Sequence, residues 1–241
     1  MHGAGENIAA AVDAETLVFR YDDGDPIIDI ESLRIAAGER VFIEGPSGSG
    51  KSTLLGLIGG ILVPTSGTLN VLETNLGALS ATERDRLRAE RIGFVFQMFN
   101  LLPYLSLVDN VLLPCRFSPV RTARAGGSAA ELQQNAVRLL EQLGLSSHLH
   151  ERKVTELSIG QQQRVAAARA LIGEPSLLIA DEPTSALDTK TRQRFIDLVI
   201  GECERVGTSV LFVSHDPTLA TAFDRRIVLS ELNRATAQSD E

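Results

Sequence analysis

Three short runs, Arg40-Val-Phe-Ile-Glu44, Leu177-Leu-Ile-Ala-Asp-Glu182 and Thr208-Ser-Val-Leu-Phe-Val213, are apolar through their centres with no alternation. Such runs are strands covered on both faces, as in a parallel sheet sheltered by helices. Elsewhere the period is two: Ile28-Asp-Ile-Glu-Ser-Leu-Arg-Ile35 alternates, and Thr16-Leu-Val-Phe-Arg-Tyr21 reads as another strand. These belong to antiparallel strands wrapped around the first strand-helix unit, between Glu15 and about Gly77. From Leu87 to Gly173 the pattern is mainly helical, except at residues 116–128, where Pro and Gly-Gly predict a mobile loop between two helices. Strand and helix then alternate again and return to the main sheet. The fold class is therefore α/β, with a mainly parallel core sheet, an antiparallel β subdomain and a helical subdomain over about residues 98–173. The domain is expected to span residues 14–232, between a Gly/Ala-rich N-terminus (1–13) and a polar tail (233–241), both expected to fray.

The candidate chemistry lies at the ends of the buried strands. After Glu44 comes Gly45-Pro-Ser-Gly-Ser-Gly-Lys-Ser52, and then Thr53-Leu-Leu-Gly-Leu-Ile as a helix. Gly45, Gly48 and Gly50 let successive N–H groups turn inward at phosphate oxygens, with Ser47, Ser49 and Thr53 in the same loop and first helical turn. Lys51 reaches the β- and γ-phosphates, and the Ser52 hydroxyl suits Mg²⁺. The alternative for this stretch is a Gly/Ser turn with an exposed lysine. Asp181 emerges at the carboxyl end of its strand, where open parallel sheets bind ligands, so that Asp181 would hold Mg²⁺ and Glu182 would polarise the attacking water. Paired acids at a strand end are otherwise a solvated turn. Far from the phosphate loop, Ser158-Ile-Gly-Gln-Gln opens a helix and offers a second anion-binding helix start, implying that a nucleotide is gripped from two sides.

Composition narrows the class. The chain has 241 residues and a net charge of −8, with 44% hydrophobic and 22% charged residues, enough for one large domain with a sizeable core. The acidic balance argues against nucleic acid as a partner. Arg84, Arg86, Arg88 and Arg91 are interleaved with Glu83, Asp85 and Glu90, the pattern of a solvated helix face. No apolar run is long enough to cross a bilayer, no secretory signal is visible, and Cys115 and Cys203 lack metal-ligand spacing. A cytoplasmic location follows as the expectation, with any work on a membrane done through a separate partner.

At this point nearly the whole chain resembles the ATP-binding subunit of an ABC transporter, a P-loop NTPase of ABC type. The resemblance implies that Tyr21 stacks on adenine, although beside Phe19 it would also serve as a rim aromatic. It further implies that Gln97, in Ile92-Gly-Phe-Val-Phe-Gln97, touches Mg²⁺ or the attacking water and faces a membrane permease. Leu157-Ser-Ile-Gly-Gln161 matches the signature motif, Ser185-Ala-Leu-Asp188 the D-loop, and His215 the histidine that contacts the γ-phosphate; the other reading of His215 is a loop histidine capping the helix from Pro217. ATP and Mg²⁺ are the implied cofactors. The implied partner is a second copy, whose Ser158, Gly160, Gln161 and Asp188 complete the site in trans. One position departs from the family pattern: Ile159 stands where the signature usually has its first glycine, a β-branched residue where the backbone is normally free.

The stretch from Gly93 to Val111, followed by Gln161-Gln-Gln-Arg164, is most similar to the group of lipoprotein-releasing, macrolide-export and cell-division ATPases. Export or mechanotransmission is the implied role, with an importer for polar solutes such as amino acids as the alternative. Met98, Phe99, Leu101, Leu102 and Tyr104, walled by a helix from Leu107 to about Cys115, are expected to form the permease groove, unless Leu101, Leu102 and Tyr104 merely pack the helical subdomain.

Overall fold

A computed structural model describes residues 9–185 and 187–235. The elements run β1 (Ala10–Phe19), β2 (Ile28–Ala36), β3 (Arg40–Glu44), α1 (Lys51–Ile58), β4 (Ser66–Val71), β5 (Thr74–Asn75), α2 (Ala81–Arg91), β6 (Ile92–Val95), α3 (Leu107–Phe117), α4 (Pro119–Arg124), α5 (Ala129–Gln142) and α6 (Ile159–Leu171). There follow β7 (Leu177–Asp181), α7 (Thr189–Val206), β8 (Ser209–Val213), β9 (Arg225–Val228) and the single turn α8 (Leu229–Leu232).

The unbroken apolar runs β3, β7 and β8 form the centre of a parallel sheet ordered β6-β7-β8-β3-β9. Alternate residues of its strands enter two cores. Val41, Ile43, Ile179 and Leu211 pack with α1 under the antiparallel sheet β2-β1-β4-β5, whereas Phe42, Leu178, Ala180 and Phe212 pack with α3, α5, α6 and α7. This period-two division makes one sheet the shared wall of both halves, so its carboxyl ends hold a fixed relation to both. Among the described residues no helix is long and apolar enough to cross a membrane.

Three expectations are corrected. Residues 10–13 do not fray: β1 begins at Ala10, and Val12 pairs with Ile35 on one side and Val71 on the other. The rest of the expected N-terminal tail, residues 1–8, lies outside the described residues. At the other end Asn233 is buried, bonded to Asp29, Ile27 and Ser49, while residues 236–241 lie outside the described residues. Finally, the expected loop at 116–128 contains α4, capped by Ser118 and carrying the buried Arg121. Its guanidinium donates to the carbonyls of Ala89 (2.8 Å), Ile92 (2.6 Å), Ala170 (3.1 Å) and Ile172 (2.9 Å), tying α2, β6 and the end of α6 together. Desolvation lowers the Arg121 pKa to about 10, which still leaves it charged at neutral pH.

Candidate nucleotide site

A cleft of about 540 Å³ opens at the carboxyl ends of β3, β7 and β8, lined by Ile27, Ser47, Gly48, Gly50, Lys51, Ser52, Thr53, Gln97, Asp181, Glu182, Ser185 and His215. Local sequence explains its floor. Gly50 takes φ 92° as the residue preceding α1, and a Cβ there would meet Ile28 at 2.9 Å and the Ile27 carbonyl at 3.2 Å, so both conformation and space call for glycine. No acidic residue occupies the first turn of α1, leaving its positive dipole end free for an anion. Lys51 Nζ is held at the rim of the loop by the carbonyls of Gly45 (2.6 Å) and Pro46 (2.8 Å).

Across the cleft, Ser52 Oγ donates to Asp181 Oδ2 at 3.0 Å, joining residues 129 apart in sequence. Glu182 has a left-handed backbone, φ 47°, fixed where its N–H donates to the Val213 carbonyl at the end of β8 (3.0 Å). That strained turn aims its carboxylate at His215, whose Nδ1 lies 3.0 Å from Glu182 Oε2. His215 does not cap the turn that follows; Asp216 does, accepting from the Thr218 N–H at 3.1 Å.

Other residues singled out in the sequence lie outside the cleft lining. Gly45 opens the loop directly after β3, where a Cβ would meet Ser49 Oγ at 2.7 Å, and Ser49 itself is buried with that oxygen unpartnered. Tyr21 is two residues beyond β1, exposed, and packed edge-to-face on Phe19 at 4.8 Å. Ser158, Gly160, Gln161 and Asp188 form a separate face. Ser158 caps α6 in a reciprocal box with Gln161: Ser158 Oγ accepts from the Gln161 N–H (3.3 Å), and the Ser158 N–H donates to Gln161 Oε1 (2.9 Å). Asp188 caps α7, and its bonds from Thr191 hold its carboxyl below the ordinary 3.8. Gly160 lets the two helix starts approach, since a Cβ on it would lie 3.2 Å from Leu187.

Ile159 causes no backbone conflict here. It is the first residue of α6, outside the left-handed region, and its side chain is 55% exposed on this face. Two cleft residues were missed as site residues. Ser185 carries a sequence signal only as the first residue of the D-loop match, whereas Ile27 comes from the turn before β2 and carries none.

A second cleft, about 490 Å³, lies between α2, β6, α3 and α6 and is mostly apolar, with Phe94, Phe96, Leu113, Pro114 and Phe117 in its lining. Beside it, Phe99 and Asn100 have φ of 57° and 49°, and Arg169 donates to both of their carbonyls at 2.6 Å. Fully buried Asn110 fixes the next stretch through Leu102, Leu105 and Ser106. The residues expected to form the permease groove divide between surface and core. Met98 and Tyr104 are exposed, but Phe99 and Leu101 pack against the helical core.

With this geometry in place, comparison with known proteins assigns the family. The model of the ABC transporter family matches residues 28–185, well over half of the chain. The chain belongs to the ABC transporter family. Similar curated relatives include the lipoprotein-releasing system ATP-binding protein LolD of Xanthomonas euvesicatoria, 40% identical over 229 residues (94% of this chain, 91% of the relative), and LolD of Hydrogenovibrio crunogenus, 41% identical over 221 residues (90% and 93%). Among solved structures, a dimeric post-hydrolysis state of the ATP-binding cassette MJ0796 bound to ADP and Pi is 36% identical, with a TM-score of 0.81 over 93% of this chain and 95% of that one. As an ABC cassette of this group, the chain is an ATP-binding and ATP-hydrolysing transporter subunit.

Proposed function

We propose that the cassette binds MgATP on the phosphate loop, closes as a head-to-tail pair around two nucleotides, and drives a membrane permease of the export or mechanotransmission type. The observation that carries this reading is the separation of the two faces: the hydrolytic groups share one cleft, and the signature residues stand outside it. A second copy is required to bring Ser158, Gly160, Gln161 and Asp188 to the phosphates. The dimeric MJ0796 cassettes and the LolD relatives support it.

Within one chain, the loop N–H groups and Lys51 would bind and orient the phosphates, with Lys51 Nζ moving from its carbonyls to the β- and γ-oxygens. Ser52 and Asp181 offer hard oxygen donors across a 3.0 Å contact, and Gln97 adds an amide oxygen, a donor set suited to Mg²⁺. When bound, the ion would neutralise charge on the phosphates. Glu182 would take the proton of a water attacking the γ-phosphorus, breaking the bond to the β-phosphate oxygen and releasing ADP and phosphate. Contact with Glu182 through Nδ1 leaves His215 Nε2 to face the γ-phosphate. Tyr21 would stack on adenine at the open edge. Loss of the γ-phosphate bridge then opens the pair.

The permease would dock on exposed Met98 and Tyr104 and in the neighbouring apolar cleft beside Phe96, Leu113 and Phe117, placing the cassette on the inner face of the membrane. Specific ATPase activity measured from nanomolar to tens of micromolar protein tests the pairing. A rise with concentration is expected, and activity independent of concentration down to chains shown to be monomeric would refute it.

A further inference from the structure

The C-terminal segment reaches back to the phosphate loop. After β9, which lies beside β3, the turn α8 buries Leu229 near Gly45, where a Gly45 Cβ would lie 3.5 Å from the leucine Cβ. The next buried polar side chain is Asn233, only 1% exposed. Its Oδ1 accepts from the Asp29 N–H at 2.8 Å, and its Nδ2 donates to the carbonyls of Ile27 (2.8 Å) and Ser49 (3.3 Å). The amide thus bridges the start of β2 to the loop between β3 and α1, across about 200 residues of sequence.

We infer that Asn233 is a positioning residue for nucleotide binding: it sets the Ser49–Gly50 peptide so that the Gly50 N–H points into the phosphate cradle. In a planar trans peptide the carbonyl oxygen and the N–H of the next residue point in opposite directions. Asn233 holds the Ser49 oxygen on the side away from the cleft, so the Gly50 N–H is turned toward it; Gly50 lines the cleft and Asn233 does not. The Ser49 hydroxyl, buried without a partner, adds nothing to this hold. Glycine at 50 is also the residue most free to rotate, and an outside brace restricts that freedom. The inference rests on the nucleotide being seated on the 45–52 loop.

The test is calorimetric titration of ATP and ADP into the full chain, below each variant's melting temperature, with ATPase kinetics on the same samples. Asn233→Ala is expected to weaken both nucleotides about three- to tenfold, the net worth of about one hydrogen bond at the loop, and to raise KM with little change in kcat. Asn233→Asp keeps the acceptor for the Asp29 N–H but cannot donate to Ser49, and should weaken binding at least as much. Arg234→Ala removes the neighbouring ion pairs to Asp29 (2.8 Å) and Glu31 (3.3 Å), and should leave affinity unchanged. Wild-type affinity in the folded Asn233 variants, or equal weakening by Arg234→Ala, overturns the inference. So does failure of both Asn233 variants to fold, which would make the residue a structural staple. Lys51→Ala separates the two levels: if it binds ATP normally, the phosphate-loop seat itself is wrong; if only it loses binding, the role of Asn233 alone fails.

Discussion

The nucleotide cleft and the signature face are built from the same kinds of parts, helix starts and strand ends, yet they differ in what their side chains face. In the cleft, polar groups from distant segments converge: Ser52 on Asp181, Glu182 on His215. On the signature face each group serves its own helix, Ser158 and Gln161 capping α6 and Asp188 capping α7. Convergent long-range contacts mark a site that one chain assembles by folding. Locally satisfied caps on an exposed surface form a stable platform, and chemistry there needs something brought from outside.

This difference fixes how mutations should separate. Lys51→Ala has the largest expected effect, a loss of ATP binding by about a hundredfold or more in calorimetry, because it removes the mobile charge on the phosphates. Glu182→Gln should keep ATP affinity while lowering turnover about 10²- to 10³-fold in single-turnover assays. On the other face, Ser158→Ala should leave ATP affinity of the single chain unchanged, lower turnover about tenfold, and cost about 1 kcal/mol of stability through the lost cap. Weakened ATP binding by the monomeric Ser158 variant would erase the distinction between the faces.

The smallest effect is with pH. Asp188 has its carboxyl pKa depressed by its bonds from Thr191, so its stabilisation of α7 is full above the unfolded value near 3.8 and is lost as pH falls through the lower folded value. Asp188→Asn should therefore reduce the drop in melting temperature below about pH 4 and change little at pH 7. An unaltered acid limb would mean that the cap carries no charge-dependent stability.

Much of this was legible in the sequence because it is local. The unbroken apolar runs match β3, β7 and β8, and the helix start expected at Ser158 is that of α6. What escaped depends on where the chain returns. The 116–128 stretch carries Pro and Gly-Gly, yet Arg121 anchors it by filling four carbonyls that only the tertiary fold brings together. Arg121→Ala should accordingly destabilise the chain by about 3 kcal/mol or more, read as a lower denaturation midpoint. Asn233 looked like the start of a polar tail for the same reason, its partners lying about 200 residues away. Ile159, where the family pattern has a glycine, takes ordinary helical backbone as the first residue of a capped helix and is exposed.

The claim that ATP joins two faces from two chains is tested most directly by mass. Glu182→Gln with ATP, followed by light scattering after size exclusion, should run as a dimer. The double variant Glu182→Gln/Gly160→Asp, which sets a carboxylate where the partner's phosphates are expected, should bind ATP with the same affinity and remain a monomer. Dimers of equal stability in both, or ATP-saturated monomers in both, would contradict the account.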